Sequence, residues 1–345
     1  MTKRLLILIH VYLLLLIGCG EDSTGPSDPL ESWFQQPNDV IVFMSKADSQ
    51  EGELYVLNKS GEITRLTHNS LHENNPALSR DGTMIAYQAG QENNQLTWEL
   101  YTADISGGGV TRLTNNGVID AHPDWGPGDS LLVFGSFRNE FGAPAGAADI
   151  YTIKTDGTDL TQLTTSVWED NDPEWSPDGS MITFKSNRDS QQSAREEIFV
   201  MNADGTGQNR LTSTVGCESD HDPSWSPDSR SIVFSHYAGS RLWIEMTDPE
   251  VFASSWDEFI PWNVRSVDLN GNIEELTNVE YAAGLPVFSR DGASILFLRM
   301  GFILNPAEYL IGMDHRLILI DASGGNGEQL IPDDEHTPTL EYFDW

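Results

Sequence analysis

Acidic side chains recur at one fixed place in this chain. Three residues before a Pro lie Glu73, Asp120, Asp170, Asp220 and Glu335, with Ala283 the exception at the sixth such place. His122, His221 and His336 lie within two residues of the same prolines. Carboxylates grouped this way suit Ca²⁺, which takes several oxygen ligands, and Asp170, Asp172, Asp220 and Asp222 would form such a set. The same acids could instead receive a basic segment of a partner. Imidazole combined with carboxylate suits Mn²⁺ or another transition ion. A third reading needs no ligand: an acid ahead of a Pro accepts backbone N–H bonds and caps a turn. The His residues are also out of step. His122 directly precedes its Pro, whereas His221 and His336 sit two before theirs, which argues against a preformed three-His site.

The prolines belong to a repeat. Asn171-Asp172-Pro173-Glu174-Trp175-Ser176-Pro177-Asp178-Gly179 returns as His221-Asp222-Pro223-Ser224-Trp225-Ser226-Pro227-Asp228-Ser229, with weaker copies at Pro76, Pro123 and Pro286. Two residues after each Pro stand Leu78, Trp125, Trp175, Trp225 and Phe288, and eleven after stand Tyr87, Phe134, Phe184, Phe234 and Phe297. Each copy reads as four short strands. Pro-x-Trp forms the first, and Ser-Pro-Asp-Gly makes a tight turn, with Pro pre-set for the first bend and Gly free to take positive φ. A β-branched second strand follows, then a third such as Glu197-Ile198-Phe199. A second tight turn leads to a fourth strand ending in Leu-Thr, at Leu66, Leu113, Leu163, Leu211 and Leu276.

Four strands per repeat without a helical period predict an all-β, six-bladed propeller of four-stranded antiparallel blades. The 308 residues from Asn38 to Trp345 divide into six units of about 51. The N-terminal end supplies a second-type strand, Val40–Phe43, and the C-terminal end a lone first-type strand, Pro338–Trp345. One blade is therefore expected to be closed by both termini, which hides the open sheet edges.

The W-S-P-D-G repeats resemble the TolB-type propeller over about nine-tenths of the chain. An α/β domain precedes the propeller in that family, and the sequence before Asn38 is expected to hold no counterpart of it. Lys3 and Arg4, an apolar run from Leu5 to Ile17, and Gly18-Cys19 resemble the signal and lipobox of bacterial lipoproteins. That resemblance implies a signal peptide at 1–18, a lipidated Cys19 with a flexible tether over 19–37, and the propeller at 38–345. It implies attachment at the outer membrane, facing the periplasm or the surface, with the membrane touched only through the lipid.

The 53 Asp and Glu outnumber 19 Lys and Arg, and the net charge of −34 disfavours nucleic acid. Hydrophobic residues at 39% and ten Trp exclude an acidic disordered tail. Two Cys, Cys19 and Cys217, leave no disulfide framework or Cys-based zinc cluster. There is no Gly-x-Ser-x-Gly, P-loop or His-Glu-x-x-His motif, so no catalytic residue is assigned.

Topology separates two faces. The tight turns share one, and the long connections share the other, where function usually sits. Leu-Thr marks lie 47, 50 and 48 residues apart and then 65 apart. The excess falls between Tyr237 and Asn263 and holds Trp243, Phe252, Trp256, Phe259 and Trp262, which form either a cap over the next blade's loop or an exposed partner-binding patch. The expected function is a monomeric, non-catalytic cell-envelope scaffold. By resemblance its partner would be an envelope protein such as a peptidoglycan-associated lipoprotein. The alternative is a metal-dependent carbohydrate-binding protein or lyase, since oligogalacturonate lyases have a similar propeller and hold a metal through His from several blades.

Overall fold

A computed structural model of the chain describes residues 33–34, 39–46, 51–92, 94–138, 147–188, 195–216, 218–238, 262–278, 282–304, 310–325, 328–329 and 340–344. They form six four-stranded antiparallel sheets arranged as the blades of a propeller. Blade 1 runs from inner to outer strand as Leu340–Asp344, Val40–Ser45, Glu53–Asn58 and Ile63–Arg65. Blade 2 is His72–Leu78, Met84–Gln91, Asn94–Asp104 and Thr111–Arg112. Blade 3 is Asp120–Trp125, Leu131–Ser136, Asp149–Lys154 and Thr161–Gln162. Blade 4 is Asp170–Trp175, Met181–Ser186, Glu197–Asn202 and Asn209–Arg210. Blade 5 is Ser219–Trp225, Ser231–Tyr237, Trp262–Asp268 and Ile273–Glu275. Blade 6 is Ala282–Phe288, Ser294–Leu304, Leu310–Asp321 and Glu328–Gln329. No helix among the described residues is long and apolar enough to cross a membrane.

The repeat signatures have distinct jobs. In four blades the Ser that opens the tight turn donates to the turn Asp, as in Ser176 Oγ to Asp178 at 2.7 Å, and accepts from the second strand, as from Met181 N at 3.0 Å. The Leu-Thr hydroxyl accepts the N–H of the third strand at 2.8–3.0 Å in five blades, at Thr67, Thr114, Thr164, Thr212 and Thr277. The aromatic eleven residues after the Pro pairs across strands with one on the third strand. Tyr87–Tyr101, Phe134–Tyr151 and Phe184–Phe199 have ring centroids 5.6–6.0 Å apart, within the range of favourable ring contacts.

Second-strand side chains alternate between two apolar seams, because successive strand residues point to opposite faces. Val42 and Met44 pack toward blade 2, whereas Ile41 and Phe43 pack toward blade 6. Two inner-strand Trp residues also tie their blade to the preceding one: Trp125 Nε1 donates to Ala77 O at 2.9 Å, and Trp225 Nε1 to Glu174 O at 3.2 Å.

The ring closes as expected. Val42, Phe43, Met44 and Ser45 pair antiparallel with Asp344, Phe343, Tyr342 and Leu340. One finding extends the domain beyond Asn38. Trp33 and Phe34, within the span read as tether, are 1% and 0% exposed and pack among Ile41, Phe43, Tyr55 and Leu57 of blade 1 and Leu296, Leu298 and Leu317 of blade 6. Most inner strands carry an aromatic two residues after the Pro; the closing strand carries Leu340. The two rings from upstream supply aromatic bulk at that seam.

Two stability predictions follow from closure. Removing residues 338–345 exposes the edge of Val40–Ser45 and should lower Tm by on the order of 10 °C or more in a thermal melt. Trp33→Ala should cost about 3–5 kcal/mol in urea unfolding, the range for a large buried ring, against near zero for an exposed tether residue.

Candidate binding site in the central channel

The acids expected around the channel mouth lie inside the blades. Glu73, Asp120 and Asp170 are fully buried and Asp220 is nearly so. Asp120 accepts from Ser136 Oγ at 2.5 Å and from Arg138 at 2.7 Å. Asp170 accepts from Ser186 Oγ at 2.6 Å and pairs with Arg188. His236 Nδ1 lies 2.7 Å from Asp220 Oδ1. Ser136, Ser186 and His236 are the register partners of these acids on the second strand. The acid thus clamps inner strand to second strand through side chains rather than by capping a turn. Arg138 and Arg188 also lie over the blade's aromatic pair, 5.1–5.6 Å from the ring centroids.

A second set of buried acids lies on the third strands: Glu53, Asp149 and Glu197 open theirs, and Glu99 lies mid-strand. Arg65 pairs with Glu53, Arg112 lies 3.1 Å from Glu99, and Arg210 lies 3.3 Å from Glu197. Asp149 instead accepts from Gln162 at 3.1 Å and from the N–H of Ser166 at 2.9 Å.

Glu73 is the exception among the inner-strand acids. Where blades 3 and 4 end the second strand in Ser and have Arg two residues on, its blade has Ala89 and Gln91. Its donors are the neutral Thr67 Oγ1 at 2.9 Å and Asn69 Nδ2 at 2.6 Å. Burial pushes its carboxyl up from 4.5 to about 7, with the nearby Glu53 adding to the rise against those two hydrogen bonds.

The residue that does face the channel is the one directly before each Pro. Asn75, His122, Asp172, Asp222 and Leu285 all have φ between 45° and 56°. A Pro normally holds its predecessor in extended conformations, so this left-handed backbone is held by the surrounding sheet. It coincides with a break of register in each inner strand, such as between Asn171 and Glu174. A bulge of this kind re-aims one side chain. Here it does so five times around one axis.

On the loop side of this ring the side chains are ionic and linked between blades. His122 Nδ1 lies 2.9 Å from Asp172 Oδ1 and 2.8 Å from Asn75 Nδ2. His221 Nδ1 lies 2.7 Å from Glu196, which is 3.4 Å from Lys185 Nζ. Asp222 accepts from Ser235 Oγ at 2.8 Å. Burial acts to raise Asp172, but His122, aided by Lys185 and His221, outweighs it and holds the carboxyl well below its ordinary range. Burial likewise acts to lower Lys185, and Asp172, Glu196, Asp222 and Glu169 outweigh it and keep the ammonium charged. Burial, then Glu196, pushes Glu169 up. Trp262 walls this vestibule, 5.0 Å from the His221 ring and 5.3 Å from Tyr237 between centroids.

Toward the tight turns, a cavity of about 370 Å³ lies beneath the ring. The prolines that follow the ring residues line it, with Trp125, Trp175, Trp225 and the turn residues Arg80 and Arg290. Arg80 reaches across it, donating to the carbonyls of Trp125 at 3.3 Å and of Ser176 and Pro177 at 3.2 Å.

Asp172 and Asp222 therefore face the channel, whereas Asp170 and Asp220 are held apart from them by Arg188 and His236. Among the described residues, the carboxylate and imidazole atoms within 4.8 Å of one another belong to Glu51, His72 and Glu92. His72 Nδ1 already accepts the N–H of Gly52 at 3.0 Å, which leaves its proton on Nε2 and makes the ring a poor ligand. Cys19, Trp243, Phe252, Trp256, Phe259, Glu335 and His336 lie outside the described residues. Sequence reasoning missed Asn75, Leu285, Lys185 and Glu196. A signal was present: Asn, Asp and His tolerate left-handed backbone better than other non-Gly residues, and four of the five pre-Pro positions hold one of them.

Residues 141–250 match the family model described as the TolB beta propeller domain. The chain is similar in structure to a putative TolB from Agrobacterium tumefaciens, at TM-score 0.58 and 20% identity over 85% of this chain and 87% of that one. Against TolB from Acinetobacter baumannii the TM-score is 0.62 with 18% identity, over 88% of this chain and 65% of that one. An oligogalacturonate lyase from Vibrio parahaemolyticus gives 0.54 and 13% identity, over 86% and 80%. At such identities the likeness shows the fold. No curated protein matches the sequence.

The Glu73 environment generates a pH prediction. Its folded carboxyl binds a proton more tightly than the unfolded one, so its favourable contribution is complete below about pH 4.5 and is lost as pH rises through about 7. Relative to Glu73→Gln, the wild type should lose up to about 3 kcal/mol across that window. Urea unfolding at stepped pH measures the difference, and parallel curves for the two proteins would refute it.

Proposed function

We propose that this TolB-like propeller is a non-catalytic binding scaffold of the cell envelope, anchored through a lipid on Cys19 at the outer membrane. It engages a protein partner through its loop face and channel mouth. The observation that carries the reading is the vestibule around Lys185. Two His–carboxylate pairs, His122–Asp172 and His221–Glu196, cross from blade 3 to blade 4 and from blade 4 to blade 5, beside the aromatic wall of Trp262. Preorganised charges next to a ring with exposed area are the makings of a protein-binding hot spot. With Glu169, Asp172, Glu196 and Asp222 set against one lysine, the vestibule favours a segment carrying basic residues. The likeness to TolB supports an envelope partner such as a peptidoglycan-associated lipoprotein.

The competing reading is a metal-dependent carbohydrate-binding protein or lyase, to which the fold's likeness to an oligogalacturonate lyase in complex with manganese gives its support. It requires His from several blades to converge. His122 and His221 each direct Nδ1 to a carboxylate instead, and among the described residues neither joins a group within ligand distance of one ion.

A photo-crosslinking side chain at Trp262, in cells of the native host, should capture one defined envelope protein, identified by mass spectrometry. Glu196→Gln should cut capture from a crosslinker at Tyr237, and so should Trp262→Ala, by about tenfold or more if these are hot-spot residues. Capture of no partner at low and moderate salt would sink the scaffold reading. Stoichiometric Mn²⁺ or Ca²⁺ with unsaturated products from acidic polysaccharide would establish its rival.

A further inference from the structure

We infer that the seam between blades 1 and 2 is a pH-operated latch, closed by one proton that the buried carboxyls of Glu53 and Glu73 share. The latch lies away from the vestibule proposed to meet a partner protein, and it does not depend on that reading.

Four successive seams carry the same two buried acids, one on the third strand of a blade and one on the inner strand of the next. In Glu99–Asp120 each acid has its own Arg, Arg112 and Arg138, and in Glu197–Asp220 the partners are Arg210 and His236. Asp149–Asp170 has Arg188 on one acid and a backbone N–H among the donors to the other. Glu53–Glu73 has Arg65 on Glu53 and only the neutral Thr67 and Asn69 on Glu73. Here the two carboxyls also lie within hydrogen-bonding reach of each other. Glu53 Oε2 is buried and, among the described residues, accepts from no donor. Two ionised carboxylates only accept, so they cannot bond each other. One proton on Glu73 supplies the missing donor from inside the protein and removes the repulsion of two like charges in a desolvated site.

The backbone is joined at the same point. Glu73 N donates to Gly52 O at 2.9 Å, and Gly52 N donates to His72 Nδ1 at 3.0 Å. A Cβ at Gly52 would lie 2.9 Å from Glu73 O and from the His72 ring, so the two blades are in close contact there. Loss of the proton sets two charges across this contact with one Arg to meet them, and the seam loosens from its loop-face end.

The other groups around Glu73 do not produce the same response. Tyr87 and Tyr101 of its own blade are pushed up, by burial first, and stay neutral across the range. Arg65 stays charged. His72 acts in the opposite sense: a proton on its Nδ1 ends the bond from Gly52 and loosens the seam in acid. That nitrogen lies 4.0 Å from Glu92, which Lys46 holds below its ordinary range. The direction of the latch follows from Glu73 itself. Burial holds its carboxyl at about 7 in the closed seam, against 4.5 in water. The latch is therefore complete below about pH 4.5, weakens as pH rises, and is gone above about 7.

The test is hydrogen exchange at single-amide resolution on the full chain in detergent. Read as a protection factor, the Glu73 amide should lose at least about tenfold between about pH 5 and about pH 8. The Ile182 and Phe184 amides of blade 4 should hold theirs. Glu73→Gln carries a neutral side chain of the same shape and should keep the amide protected throughout. Glu53→Gln should move the midpoint of the loss to lower pH, which a Glu73 that holds its proton alone would not show. A flat wild-type profile, an equal loss in blade 4, the same loss in Glu73→Gln, or an unmoved midpoint in Glu53→Gln would overturn the latch. The wild-type profile decides it even if neither variant folds.

Discussion

A propeller blade cannot stand alone. Its second strand is apolar on both faces, as Ile41, Val42, Phe43 and Met44 show in blade 1, all with no measurable exposure. Each face needs a neighbouring blade, and the neighbour has the same need on its far side. Only a closed ring satisfies all six at once. The pairing of Val40–Ser45 with Leu340–Asp344 is that closure, and the channel exists because of it. Trp33 and Phe34 reinforce the same seam from outside the blade pattern, filling a place where other inner strands supply a Trp or Phe of their own.

Closure alone would give a smooth-walled channel. The bulge before each Pro makes it a site. An inner strand in regular alternation would send its channel-side residues inward at a fixed pitch. Breaking the register at Asn75, His122, Asp172, Asp222 and Leu285 gathers one side chain per blade at one level. The left-handed backbone carries a cost of about 1–3 kcal/mol per residue, held by the strands on either side. Above this ring, the loop side of the channel carries ionic pairs that cross between blades.

The fold was legible because repetition averages out local ambiguity. One copy of Pro-x-Trp-Ser-Pro-Asp-Gly allows several structures, whereas five copies with an aromatic eleven residues on allow few. The closing strand was legible for a related reason: the count of strand types left one first-type strand at the end without a blade. The site was less legible, since strand periodicity misleads where a bulge intervenes. By plain alternation, residues one and three before the Pro share a face. The break of register uncouples them, so that Asp170 turns into the blade while Asp172 turns to the channel. Lys185 and Glu196 lie on second-strand and loop segments where no repeat marks them, and their role arises from their contact with each other and with His221 of the next blade. Trp33 and Phe34 sit in a span whose neighbouring Gly, Ser and Pro residues read as tether, and two aromatics have no period to reveal their burial.

The acidity of the chain separates into three populations with different physics. Solvated acids in the tight turns, such as Asp178 and Asp204, accept turn N–H and hydroxyl hydrogens, which lowers their affinity for protons. Clamp acids such as Asp120 and Asp170 are fully desolvated and persist because an Arg just beyond the adjacent strand meets each one; removing that Arg would leave a buried charge with no cation opposite it. Channel acids are compensated within blade 4 by Lys185 and across blades by His122 and His221, and with Glu169, Asp172, Glu196 and Asp222 around one lysine their compensation is incomplete. Incomplete compensation at the axis of a rigid ring is what separates a binding site from a structural element: the clamps satisfy their own charges, and the channel does not. A repeat that places acids at equivalent positions in every blade thus yields function only where the neighbouring blade departs from the pattern.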